Sequence, residues 1–239
     1  MSRLKSLRNQ FERFCYRNRT KGIPNLMLYI TLGSAIVYIL NMFDRSDTLY
    51  NALYFNRELI LQGQVWRLLT YAFTFNGNNI LITAIGLFCY YSLGQAMENA
   101  WGTFRFNLFY FTGIILMNIF CMIFGGRADI AYLNMSLFLG YATMFPEAQF
   151  LFFFIIPVKA WIFALVDLAL TIYSVVQLTA LGLFPYNLFP FVAIANYFLF
   201  FGKDVRNVIP LSFRIKVGKL FRKKPSYTPQ EKPPIQFYR

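Results

Sequence analysis

The fold of this chain is decided by the stretch Leu93-Gly-Gln-Ala-Met-Glu-Asn-Ala-Trp-Gly-Thr-Phe-Arg-Phe106. Glu98, Gly102 and Phe106 recur in it at four-residue spacing, between two long apolar runs. Glycine permits a tight turn at little conformational cost. A glutamate beside such a turn can pair with Arg105 or stabilise the start of the next helix through its dipole. The stretch therefore predicts a short turn that joins two membrane helices.

The composition places both helices in a larger membrane domain. The 239 residues are 57% hydrophobic and only 14% charged, whereas soluble domains average about 45–50% apolar and about 25% charged residues. We therefore predict an all-α membrane protein, with a bundle of six transmembrane helices over residues 23–204. A bilayer needs about 20 apolar residues per helix, so the fourth and sixth spans are short. The predicted spans are 24–43, 80–97, 104–124, 131–145, 160–181 and 188–201.

The basic residues predict the orientation. Seven Lys and Arg precede the first span and ten follow residue 202. With six spans both groups lie on one side, and the excess of positive charge predicts that both termini are cytoplasmic. Residues 1–22 combine this charge with apolar residues at helical spacing, which predicts an amphipathic helix on the membrane surface, with a disordered basic tail as the alternative. Residues 205–239 are basic and rich in proline, which predicts a disordered tail.

The same charge bears on partners and cofactors. The net charge of +13 lies mainly in the two terminal segments, where attraction to anionic lipid explains it without nucleic-acid binding. The chain has no histidine, and its three cysteines are far apart. Since zinc sites need clustered Cys, His or carboxylate ligands, we predict no metal site and no cofactor.

Two further motifs accompany the 93–106 stretch. Gly63-Gln-Val-Trp66-Arg67 precedes the second span, and Gly140-Tyr-Ala-Thr-Met-Phe-Pro146 ends the fourth. Arg67 is expected to hydrogen-bond several loop carbonyls at once; the alternative is an interfacial Trp66 with a snorkelling arginine. In this order and spacing, the three motifs resemble those of the rhomboid intramembrane serine proteases, over residues 63–202. The resemblance implies a rhomboid-like fold in which Trp66, Arg67, Glu98, Gly102 and Gly140 have structural roles.

The chemistry of that family is missing from this chain. Rhomboid proteases use a serine in the fourth span and a histidine in the sixth, and a serine nucleophile needs a positioned base. By the resemblance, the serine position falls on Tyr132, the histidine position near Asn196, and the oxyanion-hole positions on Ile82 and Gly86. The nearest candidate nucleophile is Ser136, one turn deeper in the membrane. The pattern resembles the catalytically inactive rhomboid-like proteins, the Derlins and iRhoms.

That resemblance implies a pseudoprotease that binds transmembrane client proteins without cleaving them, for scaffolding, quality control or trafficking. A rhomboid-type serine endopeptidase acting through Ser136 is the first alternative. A transporter of ions or small solutes is the second, since Asp167 lies inside the fifth span, where a charge is costly and usually functional. The predicted location is a bacterial plasma membrane, with the endoplasmic reticulum as the alternative.

Five polar side chains complete the set of candidates. Asp167 is expected to contact a client or a proton, or else to form a structural hydrogen bond, for instance to Thr171 or Asn196. Asn134 and Asn196 are expected to hydrogen-bond each other where the catalytic dyad lies in the enzymes. Arg127 and Asp129, before the fourth span, are expected to pair with each other.

Overall fold

The computed structural model describes residues 2–44, 47–75, 77, 79–152 and 156–202, so the predicted tail at 205–239 lies outside the described residues. Within those ranges the chain forms ten α-helices, two short 3-10 helices (Tyr71–Phe73 and Tyr186–Leu188) and one β-hairpin. The helices are α1 (Ser2–Arg17), α2 (Leu26–Phe43), α3 (Thr48–Leu53), α4 (Arg57–Leu61), α5 (Arg67–Thr70), α6 (Ile80–Trp101), α7 (Thr103–Phe124), α8 (Ile130–Met144), α9 (Ala160–Ala180) and α10 (Phe189–Phe201).

Six apolar helices lie where the six spans are predicted. Four of them, α2, α6, α7 and α9, are long and apolar enough to cross a membrane. Helices α8 and α10 have 15 and 13 residues. At about 1.5 Å per residue, α8 is roughly 22 Å long, which is shorter than the ~30 Å hydrocarbon core of a bilayer.

The short helix α8 lies at the centre of the bundle. Ten of its fifteen residues are buried, and it packs against α6, α7, α9 and α10. Helix α9 is the opposite case, because only Ala160 and Ala164 of its 21 residues are buried. A short helix is tolerated at membrane depth when its neighbours shield its ends, and α8 has such neighbours.

The prediction of an all-α chain is wrong in one place. Strand β1 (Gln149–Phe152) pairs antiparallel with β2 (Ile156–Lys159), with Gln149 opposite Lys159. The hairpin is closed at its base, where the backbone N–H of Ala160 donates to the carbonyl of Ala148. The segment is rich in Phe, Ile and Val, which favour strands, and Pro157 disfavours a helix. Short apolar runs do not reveal by periodicity whether they form strand or helix.

Glycines allow the helices to approach closely at two crossings. A Cβ at Gly94 of α6 would overlap the side chain of Met27 on α2. A Cβ at Gly140 of α8 would lie 2.8 Å from the ring of Phe201 and 3.0 Å from Met97. Small residues at such contacts are typical of membrane helices, whose packing depends on close backbone approach.

The start of α2 and the end of α10 both contact the end of α6, at one end of the bundle. The backbone N–H of Asn25, just before α2, donates to Glu98 at the end of α6. The ring of Phe201, the last residue of α10, stacks on Trp101 with 4.6 Å between centroids. We call this the hairpin end, since the β-hairpin connects α8 to α9 there. Helices α3, α4 and α5 lie in the long connection from α2 to α6, at the opposite, loop end.

Candidate functional site

A hydrogen-bonded polar pair lies at the centre of the bundle. The Nδ2 of Asn196 on α10 donates to the Oγ of Ser136 on α8 at 3.0 Å, and to the carbonyl of Phe109 on α7 at 3.4 Å. Ser136 is 1% exposed and Asn196 is 2% exposed. Gly113 of α7 leaves room for the amide, because a Cβ there would lie 3.0 Å from Nδ2. The pair therefore links three helices.

This arrangement corrects the expected bond between Asn134 and Asn196. Asn134 is buried, and its Oδ1 has no hydrogen-bond partner among the described residues. Residues two apart on a helix point in different directions, so Asn134 and Ser136 cannot both face α10. Tyr132, to which the resemblance assigns the nucleophile position, instead packs on the ring of Phe189 with 5.5 Å between centroids.

The chemistry of the pair is that of a structural contact. A carboxamide nitrogen donates hydrogen bonds and does not accept a proton, so Asn196 cannot activate the Ser136 hydroxyl. The two positions aligned with the oxyanion hole provide no donor side chain. Ile82 is 70% exposed on the outside of α6, and Gly86 faces the ring of Phe75. The described residues around Ser136 therefore hold helices together and offer no acid–base group.

A second polar contact connects α8 and α10 nearer the hairpin end. The hydroxyls of Thr143 and Tyr197 are 2.7 Å apart and buried. Sequence reasoning missed this contact, although a signal was present. Thr143 follows Ser136 by seven residues, which places both hydroxyls on the same face of α8.

Arg67 organises the loop end. It is 4% exposed, and its Nη1 donates to the carbonyls of Asn51 and Tyr54, each at 2.8 Å. Its Nε donates to the side chain of Gln64 at 2.8 Å. Trp66 donates through Nε1 to a carbonyl of the same connection, at 3.3 Å. Arg67 is therefore an internal clamp on this connection, and it makes several carbonyl contacts at once, as expected from the sequence.

Glu98 and Gly102 connect the first span to the turn at the hairpin end. The Oε1 of Glu98 accepts from the backbone N–H of Asn25 at 3.0 Å and from the hydroxyl of Thr103 at 2.9 Å. The predicted pairing of Glu98 with Arg105 is therefore wrong; the Arg105 guanidinium instead lies 4.4 Å above the ring of Trp101. Gly102 has φ +84°, a backbone conformation that favours glycine.

Asp167 lies on the side of α9 that faces the bundle. Its side chain is half-buried, and its Oδ2 has no partner among the described residues. The suggested bond to Asn196 is not formed, since that amide donates to Ser136 and Phe109. Tyr90 of α6 lies within electrostatic range of the carboxylate. Asp167 is therefore a half-buried carboxylate on α9 whose Oδ2 has no hydrogen-bond donor among the described residues.

Arg127 and Asp129 have separate roles in the structure, which corrects their predicted pairing. The Arg127 guanidinium lies 4.5 Å above the ring of Tyr54, in the loop-end connection. The Oδ1 of Asp129 accepts from the backbone N–H of Ala131 at 2.8 Å and caps α8. An aspartate at this position satisfies one of the free N–H groups of the helix start.

Part of the membrane domain is similar in sequence to a known protein family. Residues 25–128 match the model of a family described as "Eukaryotic integral membrane protein (DUF1751)". The matched region contains Arg67, Glu98 and Gly102, whereas Ser136, Asp167 and Asn196 lie beyond it. No curated protein and no solved structure matches the chain. A eukaryotic family favours the endoplasmic reticulum over the bacterial plasma membrane. The chain is an integral membrane protein, similar over less than half of its length to this eukaryotic family.

Proposed function

We propose that the protein is a catalytically inactive, rhomboid-like membrane protein that binds transmembrane client helices without cleaving them. Two observations support the inactive state. The Ser136–Asn196 pair lies between α8 and α10, which correspond by order to the spans that carry the dyad in rhomboid enzymes. An amide stands where those enzymes need a base, so the pair can hold a fold together but cannot make a nucleophile.

The proposed client site is the region between α6 and α9. Helix α6 packs mainly against α2, α7 and α8, whereas α9 packs against α8, the second 3-10 helix and the hairpin. Because α9 has few buried residues, it is the transmembrane-length helix that can move away most easily. Such a movement opens a lateral path from the lipid to the buried face of α9.

The unpartnered carboxylate oxygen of Asp167 carries this proposal. An enclosed carboxylate oxygen without a hydrogen-bond donor is costly in a membrane, and a donor from another helix relieves that cost. A client helix with a basic or hydrogen-bonding residue near the middle of the bilayer would supply this donor. Tyr90 on the facing side of α6 adds a second polar contact for the same client.

The proposal includes the membrane in which the protein lies and its orientation there. We place the protein in the endoplasmic reticulum membrane, with the hairpin end and both termini in the cytoplasm. The basic residues concentrated before α2 support this orientation. In it, α8 and α10 complete six crossings as short helices. The mismatch between their length and the bilayer is relieved by shielding from neighbours and by local thinning.

Site-specific photo-crosslinking in cells tests the client site. A benzoylphenylalanine at Tyr90 probes the α6–α9 region, and the same probe at Phe88 is the control, since Phe88 is 70% exposed on the outside of α6. We expect intact transmembrane proteins to be captured from position 90, and capture to be lost in Asp167→Leu. Equal capture from both positions would contradict the proposal. Captured fragments cut within the membrane would instead indicate a peptidase.

A further inference from the structure

An open cavity of about 600 Å³ lies at the hairpin end, where α1 crosses the turn between α6 and α7. This volume is within the range of roughly 300–1,000 Å³ that is typical of small-ligand sites. The cavity is separate from the client site, since it meets α6 only at Ala100 and Trp101, about ten residues beyond Tyr90, and none of its lining lies on α9. Its charged and aromatic lining consists of Glu12, Arg13, Tyr16, Arg19, Trp101 and Arg105.

The wall formed by α1 is fixed to the turn by specific contacts. The ring of Phe14 packs edge-on against Phe104 with 5.5 Å between centroids. The backbone N–H of Phe104 donates to the carbonyl of Arg19, and the Arg19 guanidinium donates to the carbonyl of Asn99, each at 3.3 Å. Gly102 lacks the Cβ that would overlap the Arg19 stem. The cavity is thus built by tertiary contacts between two separate segments.

The cavity is positively charged, because three arginines face one glutamate. The Arg105 guanidinium lies over the ring of Trp101, with its central carbon 4.4 Å from the ring centroid. Its Nε is enclosed and has no hydrogen-bond partner among the described residues. An arginine held in this way is preorganised for an oxyanion, since its planar donors match phosphate geometry and less entropy is lost on binding.

We propose that this cavity binds a phosphate group, presented either by the headgroup of an anionic phospholipid or by a soluble phosphate. The surroundings suit a ligand at the membrane surface. Tyr16, which is 78% exposed, and Trp101 are aromatic residues of the kind enriched at the membrane–water boundary.

The test uses native mass spectrometry of the purified full-length protein in detergent. Phosphatidylinositol 4-phosphate, phosphatidylserine and inorganic phosphate are titrated separately. Three variants are compared: Arg13→Gln, Arg105→Gln and, as the matched control, Arg17→Gln. Arg13 and Arg17 are exposed arginines one turn apart on α1, but only Arg13 lines the cavity. General attraction between a basic helix and an anion would therefore be lowered equally in both.

We expect Arg13→Gln and Arg105→Gln each to weaken phosphate binding about tenfold, as the loss of one charge-assisted hydrogen bond predicts. Arg17→Gln should change it by less than about twofold, because Arg17 does not line the cavity and acts only through a solvent-screened charge. Binding of the lipids alone would identify a headgroup site, and competition by inorganic phosphate would identify a site for the free anion as well. Equal weakening in all three variants, or no binding of any phosphate compound, would overturn the proposal. Protection of Cys15 from maleimide verifies that α1 stays docked in each variant.

Discussion

The side-chain amide of Asn196 on α10 donates a 3.0 Å hydrogen bond to the hydroxyl of Ser136 on α8, and both side chains are almost wholly enclosed. In water such a bond would contribute little. Between membrane helices, where lipid offers no partner, it helps to set how the two helices are rotated against each other. The amide that Ser136 meets takes no proton, so the contact between them is structural.

The first prediction concerns stability. Asn196→Ala removes both hydrogen bonds of the amide and leaves space beside Gly113, so we expect a loss of about 1–2 kcal/mol, near the upper range for interhelical bonds. Ser136→Ala should cost less, about 0.6 kcal/mol, the average for such bonds. Ser92→Ala is the control, because that hydroxyl bonds only its own helix at Phe88. Thermal unfolding in detergent measures all three, and an unchanged melting temperature in Asn196→Ala would show that the bond contributes nothing.

The second prediction concerns catalysis. A serine without a base is not activated, so a fluorophosphonate probe at neutral pH should not label Ser136. Wild type and Ser136→Ala should therefore give the same background, measured by gel fluorescence after purification. A signal in the wild type that disappears in Ser136→Ala would revive the peptidase alternative.

The third prediction concerns the loop end. Arg67→Lys keeps the charge but cannot reproduce the set of contacts that Nη1 and Nε make with Asn51, Tyr54 and Gln64. We expect a loss of about 1.5–3 kcal/mol, the range for a hydrogen bond to a charged group. Hydrogen exchange over residues 47–70 should become faster.

Arg57→Lys is the control for this change, since Arg57 is an exposed arginine in the same connection. If both variants exchange alike, Arg67 is not the clamp of the loop end.

The fourth prediction compares two glycines. Gly102 and Gly125 have φ near +84° and extended ψ, a region that is accessible essentially only to glycine. Alanine at either position should therefore cost about 1–3 kcal/mol in backbone strain. A Cβ at Gly102 would also overlap the side chain of Arg19, so Gly102→Ala displaces that residue as well. At Gly125 no atom lies within 4 Å of an added Cβ, so Gly125→Ala causes backbone strain alone.

The readout for this comparison is the reactivity of Cys15, which is 5% exposed. Burial raises the pKa of its thiol, while Arg105 acts in the opposite direction, so the thiolate is scarce at neutral pH and maleimide should react slowly. Because Gly102→Ala loosens α1, we expect faster labelling of Cys15 there than in Gly125→Ala, measured by site-resolved mass spectrometry. Equal rates in both variants would mean that α1 does not depend on the close approach at Gly102.

The fifth prediction separates charge from hydrogen bonding at Glu98. Its Oε1 accepts from Asn25 and Thr103. Glu98→Gln keeps an acceptor oxygen in place, whereas Glu98→Ala removes the acceptor of both hydrogen bonds, at a cost of about 1.5–3 kcal/mol for a hydrogen bond to a charged group. We therefore expect the glutamine variant to unfold at a temperature nearer to that of the wild type. If both variants lose the same stability, the negative charge itself is required.

Some of these features could be predicted from the sequence and others could not, for physical reasons. The positions of the apolar helices could be predicted from local hydropathy, since each span must satisfy its own backbone hydrogen bonds. The carbonyl contacts of Arg67 were also predictable, because a guanidinium near a long connection has many donors to satisfy. The partner of Asn196 could not be predicted. Asn134 and Ser136 are both polar candidates in the sequence, and the rotation of α8 determines which of them faces α10. The hairpin escaped prediction since its residues are as apolar as those of a membrane helix.

The sequence by itself determined that this is a membrane protein with apolar helices, a glycine turn at Gly102 and no histidine to serve as a base. These properties depend on composition and local spacing, which need no knowledge of neighbours. The tertiary structure was needed to show that Ser136 faces Asn196, that α1 closes a basic cavity over Trp101, and that Asp167 lies half-buried on α9. Each of these results depends on the rotation and packing of helices far apart in the chain, and side-chain fit between helices sets that arrangement.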